Sequence, residues 1–147
     1  MLGPRVLEAR VLDLYAGAGG LGIEALSRGA AIAVFVERSA PAVRAIKTNL
    51  HALGYESRAT IVQSEARRWL AAGPPDLAQA TLALLDPPYA DPDLDAVLAA
   101  LAARLPAGAT VVVEHATRRS LTTPPRLAVD RTRRHGDTSV TIARIEA

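Results

Sequence analysis

The chain has no cysteine, which excludes a disulfide framework, a thiolate metal site and a cysteine nucleophile. Lysine is nearly missing as well: Lys47 is the only one among 17 basic residues, the others being arginine. Aromatic residues make up 3% of the sequence, so the core has to be built from aliphatic side chains and alanine. Three scattered histidines (His51, His115 and His135) argue against an all-protein zinc site. No stretch approaches the roughly 20 uncharged apolar residues that a membrane-spanning helix requires. At the N-terminus, Glu8 and Arg10 interrupt the apolar run that a secretory signal would need. These absences point to a cytoplasmic, metal-free protein, with one domain over its 147 residues.

What is present is a soluble composition, half apolar and 22% charged. The net charge of +2 is unevenly spread. Residues 1–114 hold 10 basic against 12 acidic residues, whereas residues 115–147 hold 7 arginines against 3 acids. Arginine suits bidentate phosphate contacts, so a basic C-terminal third hints at a nucleic-acid partner; a solvated face explains it as well.

Short aliphatic runs alternate with stretches of helical period, the pattern of βαβ units. Strands are expected over residues 10–15, 32–37, 59–63, 81–85 and 110–115, with helices over 19–28, 41–53, 65–72 and 91–104. Residues 127–133 and 139–145 alternate apolar and polar and read as an antiparallel hairpin around Gly136-Asp137. The fold class is therefore α/β, a doubly wound and mostly parallel sheet, whose ligands sit beyond the carboxyl ends of the strands.

After the first strand comes the run Asp13-Leu14-Tyr15-Ala16-Gly17-Ala18-Gly19-Gly20-Leu21-Gly22. Gly17, Gly19 and Gly22 fit G-x-G-x-x-G, a turn in which missing β-carbons let a ligand approach the backbone. Asp13 sets it apart, because a carboxylate there would repel a pyrophosphate and attract a ligand carrying an ammonium or sulfonium. Glu37 ends the second strand, 20 residues past Gly17, where it could accept both hydroxyl protons of a ribose or serve as a surface cap. Glu65 and the Ala66 amide follow the third strand, where Glu65 could accept an adenine amino proton and the amide could donate to the ring; a helix-terminal acid explains Glu65 nearly as well.

Asp86-Pro87-Pro88-Tyr89 closes the fourth strand and is the most specific signal in the chain. Two prolines fix the backbone and leave carbonyls free. Asp86 and the Pro87 carbonyl could then accept both protons of one exocyclic amine, drawing its conjugated lone pair out of the ring. Tyr89 offers a flat face for an unpaired base.

Taken together, Asp13 to Gly22 and Asp86 to Tyr89 resemble the S-adenosylmethionine-dependent amino-methyltransferases. The longer run from Leu12 to Ala30, with Val36-Glu37, Asn49-Leu50, Val113-Glu114 and residues 133–138, resembles more narrowly the RsmD family, which methylates guanine N2 in small-subunit (16S) ribosomal RNA. The resemblance implies a Rossmann-like class I methyltransferase, with a seven-stranded sheet whose C-terminal hairpin is antiparallel. It implies S-adenosyl-L-methionine as cofactor, held by Asp13, Tyr15, Ala16, Gly17, Gly19, Glu37, Arg38, Glu65, Ala66 and Asp86. Asp13 would take the methionine ammonium, directly or through water. Asp86, Pro87 and Tyr89 would be catalytic, the methyl passing in line from sulfonium to nitrogen. The implied partner is ribosomal RNA within a small subunit or assembly intermediate, met by a monomer, with Arg118, Arg119, Arg131, Arg133 and Arg134 as phosphate contacts. Family members usually begin with a further basic segment carrying an Arg-Pro-Thr motif, which is absent here, and His135 stands where tyrosine is expected.

Adenine-N6 methylation on DNA or RNA stays open as an alternative because the Asp86–Tyr89 residues fit either amine, and a non-catalytic RNA-binding role stays open because the expected N-terminal segment is absent. A nicotinamide oxidoreductase would leave those residues unexplained. Asp91, Asp93 and Asp95 are expected to be an acidic first helical turn rather than a cation loop. Trp69 is expected in the core, and His51 and His115 in structural or exposed positions.

Overall fold

The computed structural model describes residues 2–147. Seven strands form one sheet in the order β3-β2-β1-β4-β5-β7-β6: β1 (Arg10–Leu14), β2 (Ile32–Glu37), β3 (Ala59–Gln63), β4 (Leu82–Leu85), β5 (Thr110–Ala116), β6 (Leu127–His135) and β7 (Thr138–Ile145). The first five are parallel, and β7 runs antiparallel to both β5 and β6. Strand order reverses between β1 and β4, so a crevice opens there beyond their carboxyl ends.

Four helices cover the sheet: α1 (Gly20–Ser27), α2 (Ala40–Leu53), α3 (Ala66–Ala71) and α4 (Leu94–Arg104). On one face Leu12, Leu14, Val34 and Val36 pack with Trp69 and Leu70 of α3 and Leu98 and Leu101 of α4. On the other, Val11, Ala33, Phe35, Leu82 and Leu84 meet Leu26 of α1 and Ile46 of α2. Both faces of the central strands are thus covered, which is why β4 is aliphatic at every position and buried throughout. Phe35, the only phenylalanine, is fully buried in the second cluster, and Trp69 lies in the first as expected.

Local chemistry sets the boundaries. The Ser39 side chain caps α2 by accepting from the Ala42 amide, and Gly54 closes it in the left-handed region. The β6–β7 turn is Gly136-Asp137, with Gly136 at φ +64°. Asp130 is the extra residue of a bulge between Val129 and Arg131 and forms an ion pair with Arg144 of β7.

Two boundaries differ from expectation. The first strand stops at Leu14 because Tyr15 takes φ +60°, which no strand residue can hold. The fourth helix starts at Leu94, not residue 91, so Asp91 and Asp93 are not its first turn. The Asp91 carboxylate instead accepts from the Asp93 amide (3.2 Å) and from the Tyr15 hydroxyl (2.7 Å), and bonds of that kind favour a turn over a helix. Among the described residues no helix is long and apolar enough to cross a membrane.

Candidate active site

The site lies at the carboxyl ends of β1, β2, β3 and β4. Directly after β1 the chain turns through Gly17 (φ +58°) and Gly19 (φ +89°) into α1. A β-carbon at Gly17 would meet nothing within 4 Å, so the loop is open to a ligand there. Gly22 has a different reason to be glycine: a β-carbon would lie 2.4 Å from the Phe35 ring. The third glycine of the motif therefore serves helix–strand packing.

Backbone amides hold the acids around this loop. The Glu37 carboxylate accepts from the Gly17 amide (2.9 Å) with one oxygen and from the Ser39 amide (2.8 Å) with the other. Asp13 accepts from the Gly22 amide (2.9 Å) and is only 1% exposed. Burial pushes its pKa up to about 7; the Gly22 bond opposes the shift, and the charges of Asp86 and Glu37 add to it. Ala16 is buried and donates its amide to the Val36 carbonyl, while the Asn49 side chain of α2 donates to the Ala18 carbonyl. The loop is clamped from three sides.

A cleft of about 910 Å³ opens beside it, a suitable size for a nucleoside-containing ligand. It brings together Tyr15, Glu37, Arg38, Glu65, Ala66, Asp86 and Pro87 from four separate segments. Glu65 stands before α3 with no capping bond from its side chain. Asp13, Ala16, Gly17 and Gly19 belong to the adjoining glycine loop and its strand, outside the residues that line this cleft. Asp13 therefore lies beneath the loop instead of projecting into the open space.

A second cavity of about 220 Å³, the scale of a single base, adjoins the first. Asp86, Pro87 and Pro88 line both, forming a shared wall, and Tyr89 lines only the second. Tyr89 is 55% exposed, with the Arg118 guanidinium 5.3 Å from its ring centre. Partial burial raises the pKa of Asp86 above the usual carboxylate range.

Two features were not visible locally in the sequence. Asp91 joins three parts of the site: its carboxylate takes the Tyr15 hydroxyl, its carbonyl takes the Arg119 guanidinium (2.7 Å), and its loop continues from Asp86–Tyr89. Arg119 is thus tied to this loop through Nη1. Burial and the bond to Asp91 raise the Tyr15 pKa, so the phenol stays a donor. Glu114, at the end of β5, lines the second cavity. Its signal was an acid breaking the apolar run Val111-Val112-Val113, as Glu37 breaks that of β2. The remaining arginine candidates, Arg131, Arg133 and Arg134, are exposed on β6. His51 is exposed beside Glu56, and His115 bonds Thr141 and the Ala116 carbonyl, both as expected.

The family model described as Conserved hypothetical protein 95 matches residues 1–144. The chain belongs to this family. The Bacillus subtilis protein YlbH, whose name provisionally places it among rRNA methyltransferases, is 42% identical over 98 residues, 67% of this chain and 53% of its own. The Escherichia coli K12 protein named ribosomal RNA small subunit methyltransferase D is 37% identical over 89 residues, 60% of this chain and 42% of its own. The chain therefore spans about half the length of these curated relatives. Among solved structures, Escherichia coli yhhF, provisionally named a methyltransferase, superposes with a TM-score of 0.86 at 28% identity, covering 99% of this chain and 80% of that one. The expected RsmD-like family and class I methyltransferase fold, with its antiparallel C-terminal hairpin, are thus borne out.

Proposed function

We propose that this protein transfers a methyl group from S-adenosyl-L-methionine to the exocyclic N2 of a guanine in small-subunit ribosomal RNA, in the cytoplasm. The observation that carries the proposal is the wall of Asp86, Pro87 and Pro88 shared by a nucleoside-sized cleft and a base-sized cavity. Its shape fits a methyl donor on one side and an amine on the other. The names of YlbH and of the small-subunit methyltransferase support the same substrate class.

The cleft fits the cofactor on its own terms. Gly17 leaves room for close approach, and Glu37, pre-set by two amides, keeps lone pairs for ribose hydroxyls. Glu65 and Ala66 flank the position of the adenine, with Arg38 and Tyr15 completing the walls. Asp13 braces the loop and contributes negative charge beneath the cationic end. When bound, the cofactor supplies an electrophilic methyl on a sulfonium.

On the other side, Asp86 and the Pro87 carbonyl accept the two amino protons and free the nitrogen lone pair. Tyr89 holds the base by stacking. Positioning and hydrogen-bond polarisation account for the catalysis, and no strong base is required. Asp86 takes the proton that the methylated nitrogen sheds, a task its raised pKa favours.

The test is methyl transfer from labelled S-adenosylmethionine to small subunits lacking the mark, followed by nucleoside mass spectrometry. N2-methylguanosine is expected. N6-methyladenosine would overturn the choice of base, and absence of any methylated nucleoside would overturn the activity.

A further inference from the structure

The cavity beyond Asp86 contains a second carboxylate for which the fold gives no structural reason. Leu84 pairs with Val112 and Leu85 with Val113. Continuing that register past the strand end sets Asp86 of the catalytic loop beside Glu114 of β5. Both line the 220 Å³ cavity together with Pro87 and Tyr89. Glu114 is half-buried, yet among the described residues its side chain makes no hydrogen bond and no salt bridge. Burial raises its pKa, and the neighbouring Asp86 charge raises it further. Two like charges share a recess, and neither makes an ion pair; Arg119, the arginine that lines it, donates from Nη1 to the Asp91 carbonyl. His115 is committed as well, with one ring nitrogen on Thr141 and the other on the Ala116 carbonyl. Elsewhere in the site the acids hold protein amides, as Asp13 and Glu37 do. An unpartnered acid beside the catalytic one is therefore placed for donors that come with the substrate.

The chemistry of those donors is restricted. The Watson–Crick edge of guanine presents three N–H protons side by side, two on N2 and one on N1. Adenine presents two on N6 but a lone pair at N1. Asp86 and the Pro87 carbonyl account for the amine, which leaves one acceptor for one further donor. We propose that Glu114 is the base-reading residue: it accepts the N1 proton of the flipped guanine and rejects bases that carry a lone pair there. This deepens the reading of the site as a guanine-N2 methyltransferase and rests on it. A site built to bond a substrate N–H discriminates strongly against an analogue lacking it, because the acceptor is then left buried and unpaired.

The probe is 2-aminopurine, which keeps the amine at C2 and has a lone pair at N1. Small-subunit RNA is methylated by the wild-type chain, the modified guanine is mapped, and ligated RNA carrying 2-aminopurine at that position is compared in single turnovers. The wild-type preference for guanine is expected to be on the order of 100-fold or more in kcat/KM. Glu114→Gln, which can donate its amide to the N1 lone pair, is expected to bring that preference within about tenfold. Glu114→Asp, which keeps the carboxylate, is expected to retain the preference at a lower rate. Cofactor affinity, measured in parallel, reports that the variants are folded. Should Glu114→Gln turn over too slowly to read, Glu114→Ala removes the acceptor and is expected to narrow the same ratio. A preference that stays at the wild-type value in these variants overturns the assignment to Glu114 while leaving the activity standing. Failure of the wild-type chain to form N2-methylguanosine overturns the activity, and the assignment with it.

Discussion

The two sides of the Asp86–Pro88 wall differ in how their acids are held. On the cofactor side every deeply placed carboxylate has a donor from the protein: Asp13 has Gly22, Glu37 has Gly17 and Ser39, and Asp91 has Tyr15 and Asp93. On the substrate side Asp86 and Glu114 have none among the described residues, and Tyr89 is largely exposed. The first half is pre-organised, so little has to be ordered when a ligand enters; the second is arranged for donors that arrive with the RNA. Substitutions in the two halves should therefore separate cofactor affinity from transfer rate.

The largest effect is expected on the substrate side. Asp86→Ala should lower the single-turnover methyl-transfer rate by about 100-fold or more, the scale of losing a hydrogen-bonding group aimed at the reacting atoms. On the cofactor side, Glu37→Gln places an amide N–H against one of the two backbone amides it now faces. The ribose hydroxyls also lose a charged acceptor, worth about 2 kcal/mol, so cofactor affinity should drop about thirtyfold in calorimetry. The rate at saturating cofactor should change far less.

Asp13 tests the cost of burying an acid under the loop. Its folded pKa of about 7 lies above the 3.8 of an exposed aspartate, so the neutral form is the one that folding favours. The stability this contributes is complete below about pH 4 and is lost as pH rises through 7. Asp13→Asn should remove that slope, gaining up to about 4 kcal/mol on wild type between pH 4 and 8 in urea melts without cofactor. Its cofactor affinity should fall even so. A slope equal to that of wild type would show that Asp13 does not titrate in this range. The smallest effect is expected at the RNA-facing edge. Arg133→Ala on β6 should lower the slope of log affinity against log salt by about 1, with cofactor affinity unchanged.

The fold was legible because its punctuation is local. Aliphatic runs such as Leu82–Leu85 can only be buried parallel strands in this context, and proline and glycine mark the ends of α2. The glycine loop and Glu37 were legible for the same reason, since their spacing lies within a single βαβ unit. What escaped depends on contacts between distant segments. Asp91 looked like the start of a helix because its partner, Tyr15, is 76 residues away, and the bond between them draws the residue into a turn. Gly22 looked like part of a ligand loop until Phe35 came to lie against it. Asp13 reads in sequence as a ligand contact, and its further bond, from the Gly22 amide to one carboxylate oxygen, had no local signal. Glu114 stood out only as an acid ending an apolar strand, and its relation to Asp86 exists only in the register between β4 and β5.

The most direct test of the division between the two halves is calorimetric titration of S-adenosylmethionine into wild type, Asp86→Ala and Glu37→Gln without RNA. The account predicts that Asp86→Ala binds within about threefold of wild type while Glu37→Gln is weakened about thirtyfold, since only the latter loses a pre-set amide acceptor. Equal weakening in both variants would contradict it, because the wall residue would then belong to the cofactor site as fully as Glu37 does.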